Sequence, residues 1–254
     1  TINYIIADNT IINNDDDKSK FSEKIIYMPN TFMPNGFKDI KLQYNLKREN
    51  FGLSNSSFIF CCFNKQYKFN PYIYNIWMDL LKEVKESLLW LKVNNNEAIK
   101  NLKLETEKRN IDPNRIIFAD SLSLEQHLSR HMLADLFLDT FPYGAHTTCV
   151  DSLWAGLPIL TLKGNTFASR VTSSLLKAID LEELITNSVD EYKSLAISLA
   201  KNPQKLERIK NKLKINKDIS PLFDNKKYTK NLEKAYKLIY KRNNELKPFE
   251  DIII

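Results

Sequence analysis

The stretch Ser57-Phe58-Ile59-Phe60-Cys61-Cys62-Phe63 decides the fold class, because it is an unbroken apolar run of strand-forming residues. A strand with one face in water alternates polar and apolar residues, whereas a continuous apolar run predicts a strand buried on both faces of a parallel sheet. Pro71 then opens a predicted helix, residues 71–84, with one apolar side. A buried strand followed by an amphipathic helix is the unit from which parallel α/β sheets are built.

The same alternation continues along the chain. Further strands are predicted at residues 87–91, 115–119, 136–138 and 159–161, and further helices at 95–109, 124–133, 147–155 and 168–179. Strands that alternate with helices at this short spacing predict an α/β fold with a doubly wound parallel sheet. We assign residues 57–185 to this domain. Residues 186–254 are predicted to be helices that pack on it, and residues 1–56, with short strands at 4–6 and 24–27, form a separate segment.

Composition excludes several classes of protein. The chain has 254 residues, 43% hydrophobic and 11% aromatic, which is enough for a core and excludes a disordered chain. No apolar run reaches the roughly 18 residues of a membrane span. The net charge is +6, but the lysines are interspersed with acidic residues, as in Lys82-Glu83-Val84-Lys85-Glu86. This pattern is typical of solvated helices and argues against nucleic-acid binding. Adjacent Cys61 and Cys62 exclude a disulfide framework and favour a reducing, cytoplasmic location.

A phosphate site is predicted where the strand at 136–138 gives way to a helix. Gly144 ends the intervening loop, and His146, Thr147 and Thr148 follow at once. The first N–H groups of a helix lack internal partners and carry partial positive charge, so they attract anions at this end of a parallel strand. The alternative is that Thr147 or Thr148 only caps the helix.

Two other segments could reach the same crevice. Lys65 and Lys68 follow the strand at 57–63, where they could neutralise a diphosphate or simply be solvated. His127 could stack on a nucleobase, and Arg130 shares its helix face and could hydrogen-bond a base carbonyl.

Other chemistries are weakly supported by the sequence. His127 and His131 have metal-ligand spacing, but no H-E-x-x-H arrangement or neighbouring cysteine accompanies them, so no metal site is predicted. Cys149 lacks a group that would activate it and is expected to be a buried residue. Asp139 has no second acid beside it in a D-x-D arrangement, which weakens the case for a metal-bridged diphosphate.

A specific resemblance accompanies these features. The run from Leu133 to Tyr143, which contains Asp-Thr-Phe-Pro-Tyr, continues through Gly-Ala-His-Thr-Thr to Leu-Trp-Ala-Gly-Leu-Pro at residues 153–158. These motifs, with Phe-Ala-Ser-Arg-Val at 167–171 and Ser-Pro-Leu-Phe at 220–223, strongly resemble the O-linked N-acetylglucosamine transferase and SPINDLY family. The early segments Tyr-Ile-Ile-Ala-Asp at 4–8 and Tyr-Met-Pro at 27–29 resemble its bacterial-type branch. The resemblance covers nearly the whole chain.

The family implies an inverting, metal-independent glycosyltransferase of the GT-B fold, without a cofactor, that moves a sugar from a nucleotide donor to protein Ser or Thr. The chain then corresponds to the donor-binding lobe, and residues 1–56 to the end of the acceptor-side lobe and the connection between lobes. TPR repeats and an acceptor-side lobe are expected upstream. UDP-GlcNAc is the expected donor and a protein or peptide the acceptor, in the cytoplasm, or in nucleus and cytoplasm in a eukaryote.

The resemblance also implies roles for individual residues. His146, Thr147 and Thr148 hold the diphosphate, Asp151 contacts the ribose, and Lys68 is the catalytic cation on the leaving phosphate. His127 and Arg130 face the uracil. Two positions depart from the family, since Lys65 stands where Gln is frequent and Leu124 where the animal enzymes have Lys. Relatives that use GDP-fucose or UDP-glucose, and a non-catalytic nucleotide-sugar-binding or scaffolding module, are the alternatives.

Overall fold

The computed structural model describes residues 2–13, 15–34 and 40–254. Its strands are β1 (Tyr4–Ala7), β2 (Lys24–Tyr27), β3 (Phe58–Cys62), β4 (Ser87–Leu91), β5 (Ile116–Phe118), β6 (Leu136–Leu138), β7 (Ile159–Leu162), β8 (Ile185–Thr186) and β9 (Ile252–Ile253). Its α-helices are α1 (Asp15–Lys18), α2 (Pro71–Glu83), α3 (Asn96–Glu107), α4 (Leu124–Arg130), α5 (Thr147–Trp154), α6 (Phe167–Ala178), α7 (Val189–Lys201), α8 (Pro203–Ile219) and α9 (Asn225–Asn244). Helices and strands therefore alternate as the sequence predicts.

The main sheet has six parallel strands in the order β5-β4-β3-β6-β7-β8. From β3 the chain moves outward through β4 to β5, then returns to place β6 on the other side of β3 and continues to β8. This order confirms the predicted doubly wound sheet. The strand order reverses between β3 and β6, and ligands of such sheets bind at the carboxyl ends of the strands beside that point.

The continuous apolar runs form the centre of the sheet because helices cover both of its faces. In β3, residues 59–62 have no exposed surface. On one face α2 contacts α3 and α7, and on the other α5 contacts α4 and α6. Asn70 caps α2 by accepting from the N–H of Ile73, and Pro71 follows at the first helical position, so local sequence fixes where this helix begins.

The structure differs from the sequence prediction at the far edge of the sheet. The sixth strand, β8, was not predicted, and it crosses the boundary that we placed at residue 185. Helix α7, in the segment predicted to pack on this domain, contacts α2, β7 and β8. Two residues are too short for a periodic pattern, which is why the sequence did not reveal this strand.

Both strands predicted in the first segment are present, in a second and smaller sheet. Its order is β1-β2-β9, all parallel, and β9 comes from the end of the chain. The segment is tied to α6, because Arg170 pairs with Asp17 and the Ser174 hydroxyl donates to Asp8. No helix in the described residues is long and apolar enough to cross a membrane.

Candidate functional site

The site lies where β3 and β6 are neighbours. Phe60 pairs with Leu136 and Cys61 with Phe137, so the loops that follow the two strands emerge side by side. The loop after β3 carries Lys65 and Lys68. The loop after β6 is residues 139–146, which we call the glycine loop, and it leads directly into α5.

The glycine loop is anchored on a buried carboxylate. Asp139 Oδ1 accepts from the N–H of Thr140 at 2.8 Å and of Ala145 at 2.6 Å, while Oδ2 accepts from the Thr161 hydroxyl at 2.8 Å. The Asn64 amide nitrogen donates to Asp139 Oδ1 at 3.2 Å and to the Thr140 hydroxyl at 2.7 Å. Burial raises the pKa of Asp139, and the surrounding donors oppose this effect. The sequence did not identify Asp139 or Asn64 as site residues, although each follows closely on a buried strand.

The close approach of the loop to its anchor leaves little room for a side chain at residue 144. A β-carbon there would lie 3.0 Å from Asp139 Oδ2 and 3.4 Å from the carbonyl oxygen of Ala168. The Gly144 N–H donates to that same carbonyl oxygen at 3.1 Å. The loop is therefore held at both ends before α5 begins.

The start of α5 presents free backbone donors. His146 occupies the N-cap position without a side-chain capping bond, and the N–H groups of Cys149 and Val150 donate back to its carbonyl oxygen. Within the described part of the chain, the N–H groups of Thr147 and Thr148 have no acceptor. The two threonines therefore do not cap the helix, and two donors at the positive end of the helix dipole are available to an anion.

Lys68 reaches this same glycine loop from β3. Its Nζ donates to the Gly144 carbonyl oxygen at 2.7 Å and lies 3.9 Å from the ring centroid of Tyr143. Burial lowers the pKa of Lys68, an effect that the charge of Asp139 opposes. Burial and the nearby charge of Lys68 also lower the pKa of His146. The cation, the neutral imidazole and the free N–H groups thus face one small region.

A second group of side chains lies one helical turn further along α5. His127 Nε2, on α4, stands 3.9 Å from Asp151 Oδ2. Burial lowers the pKa of His127 to about 2, with further contributions from His131, Arg130 and Lys92, so the ring is neutral. Burial raises the pKa of Asp151 to about 6, and the charge of Lys92 opposes this shift. Lys65 is exposed and lines a neighbouring cleft of about 490 Å³ together with Lys92.

Arg130 is buried beside His127. It has no exposed surface; its Nη1 donates to the Asp120 carbonyl oxygen at 2.6 Å, and its guanidinium stacks 4.6 Å from the centroid of Phe63. Arg130 also donates through Nη2 to His127 Nδ1, and its expected contact with a base carbonyl stays a prediction. Arginine can only donate, so Nδ1 accepts, and the neutral His127 carries its proton on Nε2, facing Asp151.

The buried Asp151 carboxylate is expected to lower the free energy of unfolding at neutral pH. The pKa of Asp151 rises from 3.8 to about 6 on folding, so the folded state binds the proton more tightly than the unfolded chain. The stability that comes from this proton is lost as the pH rises through 6. Replacing Asp151 by asparagine is expected to raise the free energy of unfolding at pH 7.5 by up to about 3 kcal/mol, and to change it little at pH 4. Urea unfolding at both pH values measures the difference. The exposed Asp218→Asn variant is the control, and an equal effect at both pH values would contradict the assignment.

The described residues contain no group of three His, Cys, Asp or Glu side chains that could hold a metal ion. His131, four residues after His127, is buried, and its Nδ1 is hydrogen-bonded to the His127 carbonyl oxygen at 2.8 Å. Cys149 is buried with a raised pKa, which is the expected state of a packing residue rather than a nucleophile.

Comparison with known proteins decides the family. The model of glycosyl transferase family 41 matches residues 38–232. The chain belongs to this family. It is 37% identical to the probable UDP-N-acetylglucosamine--peptide N-acetylglucosaminyltransferase SEC of Arabidopsis thaliana, over 85% of the chain and 23% of the relative. It is 33% identical to the corresponding Caenorhabditis elegans transferase, over 81% of the chain and 18% of the relative.

Two further similarities extend this result. A probable transferase of the same class named SPINDLY, from Solanum lycopersicum, is 31% identical over 95% of the chain. The solved structure of a Thermobaculum terrenum O-GlcNAc transferase mutant superposes with a TM-score of 0.82, at 24% identity, over 92% of this chain and 44% of that one. The predicted resemblance and GT-B-type fold are confirmed. The chain spans about a quarter of the length of its curated relatives.

Proposed function

We propose that this chain is the donor-binding lobe of an inverting, metal-independent protein O-glycosyltransferase that transfers GlcNAc from UDP-GlcNAc to Ser or Thr. Membership of family 41 and the names of its relatives support the reaction class. Because those relatives are about four times longer, we assign the acceptor-side lobe and TPR repeats to other parts of the complete protein. We place the reaction in the cytoplasm, where the three unbonded cysteines stay reduced.

The observation that carries the proposal is the pair of free N–H groups of Thr147 and Thr148 opposite Lys68. Oriented donors and a cation that converge on one region suit a diphosphate better than a neutral ligand. The nucleotide then extends along α5, so that its ribose reaches Asp151 and its base reaches the face of His127. Neutral imidazole rings stack on bases without a charge penalty.

The same groups serve the chemistry of the leaving group. When the sugar transfers, negative charge develops on the departing nucleoside diphosphate. Fixed donors at the start of α5 and the Lys68 ammonium stabilise this charge without having to reorganise, so the step needs no metal ion. His146 is neutral and lies beside the same phosphate position, where its ring can donate a hydrogen bond.

Calorimetry with UDP, combined with an assay of donor hydrolysis and peptide glycosylation, tests the proposal in the complete protein. UDP binding with turnover supports the transferase. UDP binding without turnover, with the upstream sequence present, favours the alternative of a non-catalytic nucleotide-sugar-binding module. Turnover with GDP-fucose or UDP-glucose in place of UDP-GlcNAc would identify a relative with another donor. Lys65 is the site residue that departs from the family at this end of the cleft.

His127→Ala is expected to weaken UDP binding about tenfold or more, because base stacking contributes roughly 1–3 kcal/mol. Binding of plain pyrophosphate should change little, since pyrophosphate has no base. Calorimetry with both ligands measures the two effects separately. Glu125→Ala, an exposed change on the same helix, is the matched control. Equal losses for the two ligands would remove His127 from the base site.

A further inference from the structure

The aromatic ring of Tyr143 covers the ammonium group of Lys68. Tyr143 is the last residue of the Asp-Thr-Phe-Pro-Tyr motif, and Lys68 Nζ lies over the face of its ring, 3.9 Å from the centroid. The centroid of the same ring is 5.2 Å from that of the His146 ring. Tyr143 is 40% exposed, so its ring borders the open part of the candidate site and is not a core side chain.

The backbone that carries this ring is fixed by the buried network beneath the glycine loop. The Tyr143 carbonyl oxygen accepts from the Thr140 hydroxyl at 2.6 Å. That hydroxyl accepts in turn from the Asn64 amide nitrogen at 2.7 Å, and both Thr140 and Asn64 are buried. Because the backbone of Tyr143 is anchored in this way, the loop presents the ring to Lys68 from a defined position.

Lys68 is held in place without a carboxylate partner. Within the part of the chain that the structure describes, its ammonium group has two partners, the Gly144 carbonyl oxygen at 2.7 Å and the Tyr143 ring. An ammonium group has three N–H donors, so at least one remains for a ligand. The face of an aromatic ring attracts a cation but carries no net charge. The ring therefore orients the ammonium group without cancelling its positive charge, as a carboxylate would.

We propose that Tyr143 is a positioning residue for the transfer reaction: its ring holds the Lys68 ammonium group at the glycine loop and leaves the charge of Lys68 available to the leaving diphosphate. The inference rests on the proposed function. Electrostatic stabilisation of a leaving group is most effective when the cation is already in place as the negative charge develops. The ring supplies this condition for Lys68, beside the free N–H groups of Thr147 and Thr148.

The test replaces Tyr143 in the complete enzyme by phenylalanine and, separately, by leucine. Phenylalanine keeps the ring face and removes only the hydroxyl, so turnover at saturating donor should stay within about twofold of the unmodified enzyme. Leucine is apolar but has no ring, and it should lower turnover by about fivefold or more, the factor that a partly desolvated contact between a cation and a ring contributes. Steady-state kinetics measure both effects, and thermal melts of the same samples show whether the fold is retained.

A double-mutant cycle with Lys68→Ala separates positioning from a structural role of the ring. Where Lys68 is already alanine, Tyr143→Leu should lower turnover by less than about twofold, because the ring no longer has a cation to hold. Losses that multiply in full would mean that Tyr143 acts independently of Lys68, which overturns the inference. A phenylalanine variant as impaired as the leucine variant would overturn it as well, since the hydroxyl and not the ring would then matter.

Tyr236→Leu, which removes an exposed tyrosine of α9, is the matched control and should leave turnover unchanged. If the complete protein binds UDP without turnover, the same cycle is measured on UDP affinity, where the same coupling between Tyr143 and Lys68 is expected. Failure of the unmodified protein to bind UDP at all would instead refute the proposed function.

Discussion

Replacing Lys68 by alanine in the complete enzyme is expected to lower turnover at saturating donor by at least about tenfold. The ammonium group is held at the glycine loop by the Gly144 carbonyl oxygen and the Tyr143 ring, next to the free N–H groups of α5. A charge-assisted hydrogen bond contributes about 1.5–3 kcal/mol, which corresponds to a factor of about ten to a hundred in rate if the contact strengthens in the transition state.

The fold should survive this change, because Lys68 lies on a short surface turn and contributes no side chain to the core. Steady-state kinetics and a thermal melt of the same sample measure activity and stability together. Lys85→Ala, an exposed change between α2 and β4, provides the control for the loss of a lysine. Weaker donor binding with unchanged turnover at saturation would make Lys68 a binding residue only, and unchanged values of both would remove it from the mechanism.

Local sequence was sufficient to predict that the loops after β3 and β6 lie side by side. Continuous apolar runs identified β3 and β6 as buried parallel strands, and the carboxyl ends of such strands meet at one edge of a sheet. The residues that follow them, among them Lys68 and Thr147, were therefore expected to share a crevice before any contact was known. Short-range rules of helix initiation gave the free donors at the start of α5.

Features that depend on contacts between distant segments could not be predicted. Helical spacing puts Arg130 on the face of His127, but it gives no sign that Phe63 and the Asp120 carbonyl oxygen enclose the guanidinium. Strand β9 pairs its two residues with β2, more than two hundred positions earlier, and no periodicity reveals such a pairing. The role of Asp139 was also missed, since its donors come from three different parts of the chain.

Asp139→Ala is expected to lower the free energy of unfolding by about 3–5 kcal/mol, because it removes the acceptor of several buried donors at once. The N–H groups of Thr140 and Ala145 and the hydroxyl of Thr161 would be left without their partner in a region that water does not reach. The same change frees the glycine loop, so UDP affinity should fall even at a temperature where the variant remains folded.

Asp139→Asn distinguishes the loss of an acceptor from the loss of a charge. Its side-chain oxygen can keep the N–H groups of Thr140 and Ala145, while its NH₂ group can donate to the Thr161 hydroxyl, which then accepts instead. We therefore expect asparagine to cost about 1–2 kcal/mol, well below the cost of alanine. Urea unfolding of the three proteins measures both values. If asparagine and alanine cost the same, the charge opposite Lys68 holds the loop. If alanine costs less than about 1 kcal/mol, the donors find other acceptors and Asp139 is not the anchor.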